Sequence, residues 1–267
     1  MTIAWRFIVL ILTAVTATAP AQPSLDGMLA SAESAMDDAE RAMEADPELA
    51  PELYAQAAAR YERIITEHGI DSVELHRAAG NARLLAGQTG LAIASYLRAE
   101  RLDPTDEKTA ASLAYARSRV GTTITPGLRS RTESAVFWWR GRVPRHALFL
   151  GAVIAFGAAW GIEIALALGA RRVGHVSALL LAVIALTLFG SLVAERAFDR
   201  AVERAVIVGG PSDARTGPSD VVYPRSFEQQ LLPGVELVVL SHQDGWVRVR
   251  LADGRETWVR DTSIARV

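Results

Sequence analysis

The stretch GIEIALALGARRVGHVSALLL, residues 161–181, is apolar almost throughout, yet it carries Arg171 and Arg172 side by side and Glu163 shortly before them. Residues 147–170 hold Glu163 as their single charged side chain, and residues 173–194 hold no Asp, Glu, Lys or Arg. A helix rises about 1.5 Å per residue and the hydrocarbon core of a bilayer is about 30 Å thick, so roughly 20 apolar residues cross it. The runs 146–170 and 173–194 therefore predict a two-helix transmembrane hairpin, because helices satisfy their own backbone polar groups in lipid. Buried helices of a soluble core are the competing reading, but those are shorter and amphipathic. Short Arg-bearing loops stay cytoplasmic, which puts Arg171 and Arg172 inside and both flanking regions outside. A carboxylate in a membrane helix usually faces protein or water. Glu163 is thus a candidate intramembrane contact, either to His175 or Ser177 or to a partner helix brought close by Gly157 and Gly161; the alternative is that it is only tolerated there.

The first residues agree with export. MTIAWRFIVLILTAVTATAPAQPS carries one basic residue, Arg6, then an apolar core, then small residues at Ala19 and Ala21. That is a signal-peptide pattern over residues 1–21. Residues 122–145 read as a juxtamembrane linker, with Trp138 and Trp139 suited to the interfacial aromatic belt. Arg140, Arg142 and Arg145 on this flank oppose the topology drawn from the hairpin tip. The signal peptide decides, because large domains translocate largely regardless of charge.

Composition narrows the chemistry. The 267 residues include no cysteine and carry a net charge of −2. Disulfides, thiolate nucleophiles and Cys-ligated metals are excluded. The five histidines, His68, His76, His146, His175 and His242, show no metal-ligand spacing. No cofactor is expected, and the near-neutral charge gives no reason to expect nucleic acid.

Residues 22–121 read as helical. Leu25, Met28, Leu29, Ala32, Met36, Ala39 and Met43 recur at helical spacing until Pro47, and a second helix runs from about Glu52 to Glu67 before Gly69. The segment SVELHRAAGNARLLAGQTGLAIASYLRAERLDP then splits at Gly87. Its first half sets Leu75, Ala79, Ala82 and Leu85 on one face; its second sets Leu91, Ala92, Tyr96 and Ala99, ending at Pro104. Small residues at Gly80 and Ala92 allow a close antiparallel approach of the two helices. The unit spans 34 residues and resembles a tetratricopeptide repeat, with Gly80, Ala92, Tyr96, Ala99 and Pro104 at that repeat's Gly, Ala, aromatic, Ala and Pro positions. His76, Ala79 and Arg83 replace its usual Trp, Leu and Tyr. Ala57 and Tyr61 align with Ala92 and Tyr96 as a degenerate preceding half, and TDEKTAASLAYARSRVG reads as a further first helix. The resemblance implies a protein-docking groove lined by Arg77, Asn81, Leu84, Tyr115 and Arg119, with solvated helix positions as the plain alternative.

Residues 201–267 change to period two. VELVVLS, GWVRVRL and RETWVRD alternate between Pro-Gly, Gln-Asp-Gly and Asp-Gly turns, and with AVIV near Val206 give four or five short strands. The tail resembles bacterial SH3-like barrels, with Gly234, Trp246, Gly254 and Trp258 at the signature positions. Trp246 and Trp258 are then barrel core or a ligand platform.

The expected architecture is multi-domain: an all-α tetratricopeptide-repeat region, a two-helix transmembrane hairpin and a small all-β SH3-like barrel. In this order the parts resemble the E-type proteins of Bat aerotolerance operons. The resemblance implies a non-enzymatic scaffold in a bacterial inner membrane, with both soluble domains extracytoplasmic. Its implied partners are von Willebrand factor A-domain membrane components and a MoxR-type ATPase system. Peptidoglycan binding, with the repeats recruiting an enzyme, is the alternative.

Overall fold

A computed structural model of the chain describes residues 24–121, 145–168, 175–201 and 203–267. The signal segment 1–21, Trp138 and Trp139 in the linker, and the Arg171–Arg172 tip lie outside the described residues.

Five helices make the first unit: α1 Leu25–Ala45, α2 Ala50–His68, α3 Val73–Leu85, α4 Thr89–Leu102 and α5 Glu107–Ser118. Their limits follow from local chemistry. Ser24, Ser72 and Asp106 cap α1, α3 and α5 by accepting from a backbone N–H of the first turn. Gly69 and Gly87, at φ 63° and 75°, end α2 and turn α3 into α4 in the left-handed region that glycine enters most easily. Each helix packs on the next, and α3 also touches α5. The α3–α4 approach is as close as the small residues predict. A Cβ added at Gly80 would stand 2.5 Å from the Tyr96 ring, and Ala92 is fully buried. Tyr61 is buried on α2 as Tyr96 is on α4. Two residues assigned to the apolar faces differ: Met43 and Leu85 stand in the last turns of α1 and α3 and are exposed, because their neighbours Ala42 and Ala86 are the ones that meet Ala50 and Tyr54 of α2.

Residues 203–267 form a five-stranded antiparallel sheet in the order β4-β3-β2-β1-β5, with β1 Arg204–Ile207, β2 Glu236–Gln243, β3 Trp246–Leu251, β4 Glu256–Arg260 and β5 Ile264–Arg266. Asp244 and Gly245, both at positive φ, make the tight β2–β3 turn. Val247, Val249, Leu251 and Val259 alternate into one core with Ala205, Ile207 and Leu237. The long 208–235 connection contributes Ala214, Leu231 and Val235 to that core. It also doubles back along β4, where Arg215 and Trp258 exchange both backbone hydrogen bonds at 2.8 Å.

Between these units lie α6 Arg145–Ala167 and α7 His175–Ala201, two helices long and apolar enough to cross a membrane. Ala152, Ala155 and Ala159 of α6 meet Ala178 and Ala185 of α7 in a small-residue seam. Phe149, Ile154, Trp160, Leu179 and Leu186 face outward and are exposed.

The sequence treats the helical region and the sheet as separate domains; the structure packs them together. Strand alternation sends Ala205 and Ile207 into the sheet core and Val206 to the opposite face, where it is buried with Ala92, Ile93, Leu97 and Leu113. Around that contact, Arg117 holds Glu236 in a two-pronged ion pair (2.6 and 2.9 Å), and Arg98 donates to the Arg266 carbonyl at 2.8 Å. Backbone approaches backbone at Gly90, where an added Cβ would stand 2.3 Å from the Ile207 carbonyl oxygen. Gly90→Val is expected to part the two units, since overpacking typically costs about 1–3 kcal/mol. The full chain should then melt in two calorimetric transitions where the wild type shows one.

Candidate functional site

The five residues proposed for a docking groove lie on α3, on α5 and, for Arg119, at the C-terminal cap of α5, but the structure divides them. Arg77 is engaged: its Nη1 donates to Asp106 Oδ2 at 2.6 Å, tying α3 to the cap of α5. Leu84 is half-buried against the α4–α5 cluster. Asn81 is exposed, yet its Oδ1 accepts from the Tyr96 hydroxyl at 2.8 Å. Burial pushes that hydroxyl up to about pKa 12, so it stays protonated and donating. Tyr115 is 55% exposed, with the Arg119 guanidinium 5.8 Å from its ring centroid. Asn81, Tyr115 and Arg119 therefore form the open polar and aromatic surface of these two helices.

Arg119 also borders a cleft of about 410 Å³ that the sequence does not reveal, because it lies where the helical unit meets the sheet. Gln88, Thr89 and Gly90 form one wall and Leu232 and Pro233 the other. No side chain caps the start of α4. The N–H groups of that first turn and one guanidinium therefore border the same space, a combination suited to carboxylate or carbonyl oxygens.

Two positions at which the sequence departs from the tetratricopeptide pattern are built into polar contacts. Arg83 lies between α2 and α4, donating to Ser95 Oγ at 2.6 Å and Glu62 Oε2 at 2.9 Å. Buried His76 meets Asp71 Oδ1 through Nε2 at 2.6 Å.

In the sheet, Trp246 and Trp258 stand by strand alternation on the face opposite Val247, Val249 and Val259. Trp246 is 8% exposed, with the Arg260 guanidinium 5.3 Å from its ring; Trp258 is half-buried. Neither belongs to the main core, and only Trp258 presents ring surface of any extent. In the hairpin, Glu163 meets His175 Nδ1 at 3.2 Å, one of the contacts considered for it. Gly157 and Gly161 have nothing within 4 Å of an added Cβ, so they lie away from the α6–α7 seam. Among the described residues, no cluster of His, Asp or Glu could hold a metal ion. No protein-family model, curated protein or solved structure matches this chain.

Asp106 joins the elements beneath this surface. Thr109 donates to its Oδ2 through both hydroxyl and N–H, and Arg77 donates to the same oxygen. The Thr109 hydroxyl, with the Thr109 N–H and Arg77, holds the carboxyl below its ordinary value. Asp213, bound by Gln230 and Arg225, and Glu256, bound by Arg250 and Arg248, are lowered in the same way. A carboxylate with a depressed folded pKa contributes stability above its unfolded pKa and loses it as pH falls through the folded value. Melting temperature should therefore be insensitive to these three groups between pH 7 and 5 and fall below about pH 4, less steeply in Asp106→Asn. Asp106→Ala should cost about 1–2 kcal/mol at neutral pH through the lost cap.

Proposed function

We propose that the chain is a membrane-anchored adaptor, in which the α6–α7 hairpin holds a single body of helices and sheet against a bilayer and that body captures partner proteins. The observation that carries this reading is the exposed Asn81–Tyr115–Arg119 surface on a unit covalently continuous with two membrane-length apolar helices. Aromatic and arginine side chains anchor protein interfaces more often than other types. The Gly80–Tyr96 approach and the α3–α5 contact support a tetratricopeptide-like reading of the helical unit. The strand order, the long folded-back β1–β2 connection and the single 3-10 turn Asp261–Ser263 before β5 support an SH3-like reading of the sheet.

On this reading the partners are membrane proteins of a Bat-type assembly, von Willebrand factor A-domain components with an associated MoxR-type ATPase. The membrane is a bacterial inner membrane, with the packed body outside and Arg171 and Arg172 inside. Direct packing of α4 on β1 and β5 supports the hairpin topology, because it requires residues 121 and 203 to emerge on the same side. Burial of Trp246 leaves the sheet without a pair of open rings for stacking sugars, which favours protein over peptidoglycan as the ligand.

Photocrosslinking from position 111, exposed on α5 one turn before Tyr115, in intact cells is expected to trap a von Willebrand factor A-domain membrane protein. The double variant Tyr115→Ala/Arg119→Ala should lose at least about tenfold in that product, with an unchanged melting temperature. An undiminished yield would reject the surface. Reporter fusions after residues 120 and 260 should both register outside the cytoplasm; a cytoplasmic signal from either would overturn the topology. Asn81→Ala is a poor probe of docking, because it orphans the Tyr96 hydroxyl and should lower stability by about 1–3 kcal/mol.

A further inference from the structure

Helix α7 ends at Ala201 and β1 begins at Arg204, so the sheet is held by that end. The register says what else lies there. Arg204 pairs with Val238, and β2 continues past β1 to Gln243, which pairs with Trp246; Trp246 in turn pairs with Arg260. The β2–β3 turn and the end of β4 therefore share the α7 end. The 208–235 connection leaves β1 at the opposite end but doubles back. Arg215 pairs antiparallel with Trp258 in the middle of β4 and with Arg225, and the turn between Arg215 and Arg225 brings Asp220 into an ion pair with Arg260 at the end of β4. Its tip thus returns to the end of the sheet nearest the membrane helix.

That tip is apolar and bare. Val221, Val222 and Tyr223 are 94%, 72% and 40% exposed. Among the described residues of the helical unit and sheet, the other exposed large apolar residues, Met43, Leu49, Leu85, Leu102 and Tyr115, do not adjoin one another in sequence. Single exposures need no explanation, whereas a contiguous group marks a contact surface. The neighbouring charges are already paired, Asp220 with Arg260 and Arg225 with Asp213. Ser219 Oγ accepts from the N–H groups of Val221 and Val222 at 3.2 and 3.3 Å, so two backbone donors of the tip are satisfied without water. Distance also fits. The apolar stretch of α7 ends at Val193, and the helix continues to Ala201, about 12 Å further at 1.5 Å per residue. Each headgroup layer is about 5–8 Å deep, which leaves this end of the sheet just above the lipid surface.

We propose that Val221, Val222 and Tyr223 form a second membrane contact, inserting into the headgroup–acyl boundary of the bilayer that α6 and α7 span. This rests on the membrane reading of those helices. With the local charges paired, insertion is driven by apolar burial and needs neither anionic lipid nor low salt.

The absence of cysteine makes the test direct. Full-length Val222→Cys, Ala252→Cys and Val183→Cys proteins, each carrying one environment-sensitive fluorophore, are reconstituted in phosphatidylcholine vesicles. Some vesicles carry a nitroxide on the upper acyl chain, and others one near the chain terminus, the depth at which position 183 would lie. Ala252 is exposed in the β3–β4 turn at the opposite end of the sheet, and Val183 lies within the apolar span of α7. The label at position 222 should lose about half its emission to nitroxide lipid and resist iodide, while the label at 252 does the reverse. Adding phosphatidylglycerol or salt should change neither. Iodide access at 222 equal to that at 252, without nitroxide quenching, overturns the proposal. So does shielding from both quenchers, which would mean that protein covers the tip. If position 183 escapes nitroxide quenching, the spanning reading itself fails and the tip proposal falls with it; quenching at 183 but not at 222 removes the tip alone.

Discussion

Strand β1 has no solvent face over Ala205–Ile207, and the rest of the soluble body is arranged around that fact. Ala205 and Ile207 close the sheet core, while Val206 enters the α4–α5 cluster between Ile93 and Leu113. A strand covered on one side alternates apolar and polar residues; one covered on both sides reads as a continuous apolar run, as AVIV does here. Burying a side chain such as Val206 stabilises by about 1.5–3 kcal/mol relative to exposure. That applies only while Gly90 remains small enough for α4 to lie against the strand. The Arg117–Glu236 pair, about 46% and 35% exposed, adds direction more than strength.

The helix boundaries were legible in the sequence because Pro and Gly act locally. Pro47, Gly69, Gly87 and Pro104 interrupt the chain where the helices stop, whatever surrounds them. The strands were legible for a related reason, since alternation over Val247, Val249 and Leu251 is a statement about one face. What escaped is whatever depends on two distant segments meeting. Nothing near Arg77 in sequence announces Asp106, and nothing near Asn81 announces Tyr96, so both read as open groove positions. The continuous apolar run at β1 was the one available signal that helices and sheet join, and it was read only as a strand. Met43 and Leu85 fail for a different reason: at a helix end periodicity admits either of two adjacent positions, and packing against α2 takes Ala42 and Ala86.

Small residues serve different ends in the two helical parts. In α3 and α4, Gly80 lets an aromatic ring lie against a backbone, so the gain is burial of Tyr96 from water. In α6 and α7, alanines line the seam. On the membrane-anchored reading proposed above, such contacts hold by close packing, since the surrounding lipid tails are as apolar as the seam itself. Gly157 and Gly161 lie away from this seam and leave a shallow strip on α6 beside Trp160.

The position of β1 along the chain ties the helical unit's maturation to completion of the two apolar helices. α1 to α5 are synthesised first, but the strand that covers the α4 surface around Ile93 and Leu97 follows only after α6 and α7. Until then that apolar surface is bare. A chain whose second apolar helix stalls therefore keeps a sticky patch open to chaperones and proteases, whereas a chain with both helices in place can close it within itself. Val206 can therefore seat only after the residues of both apolar helices have been made.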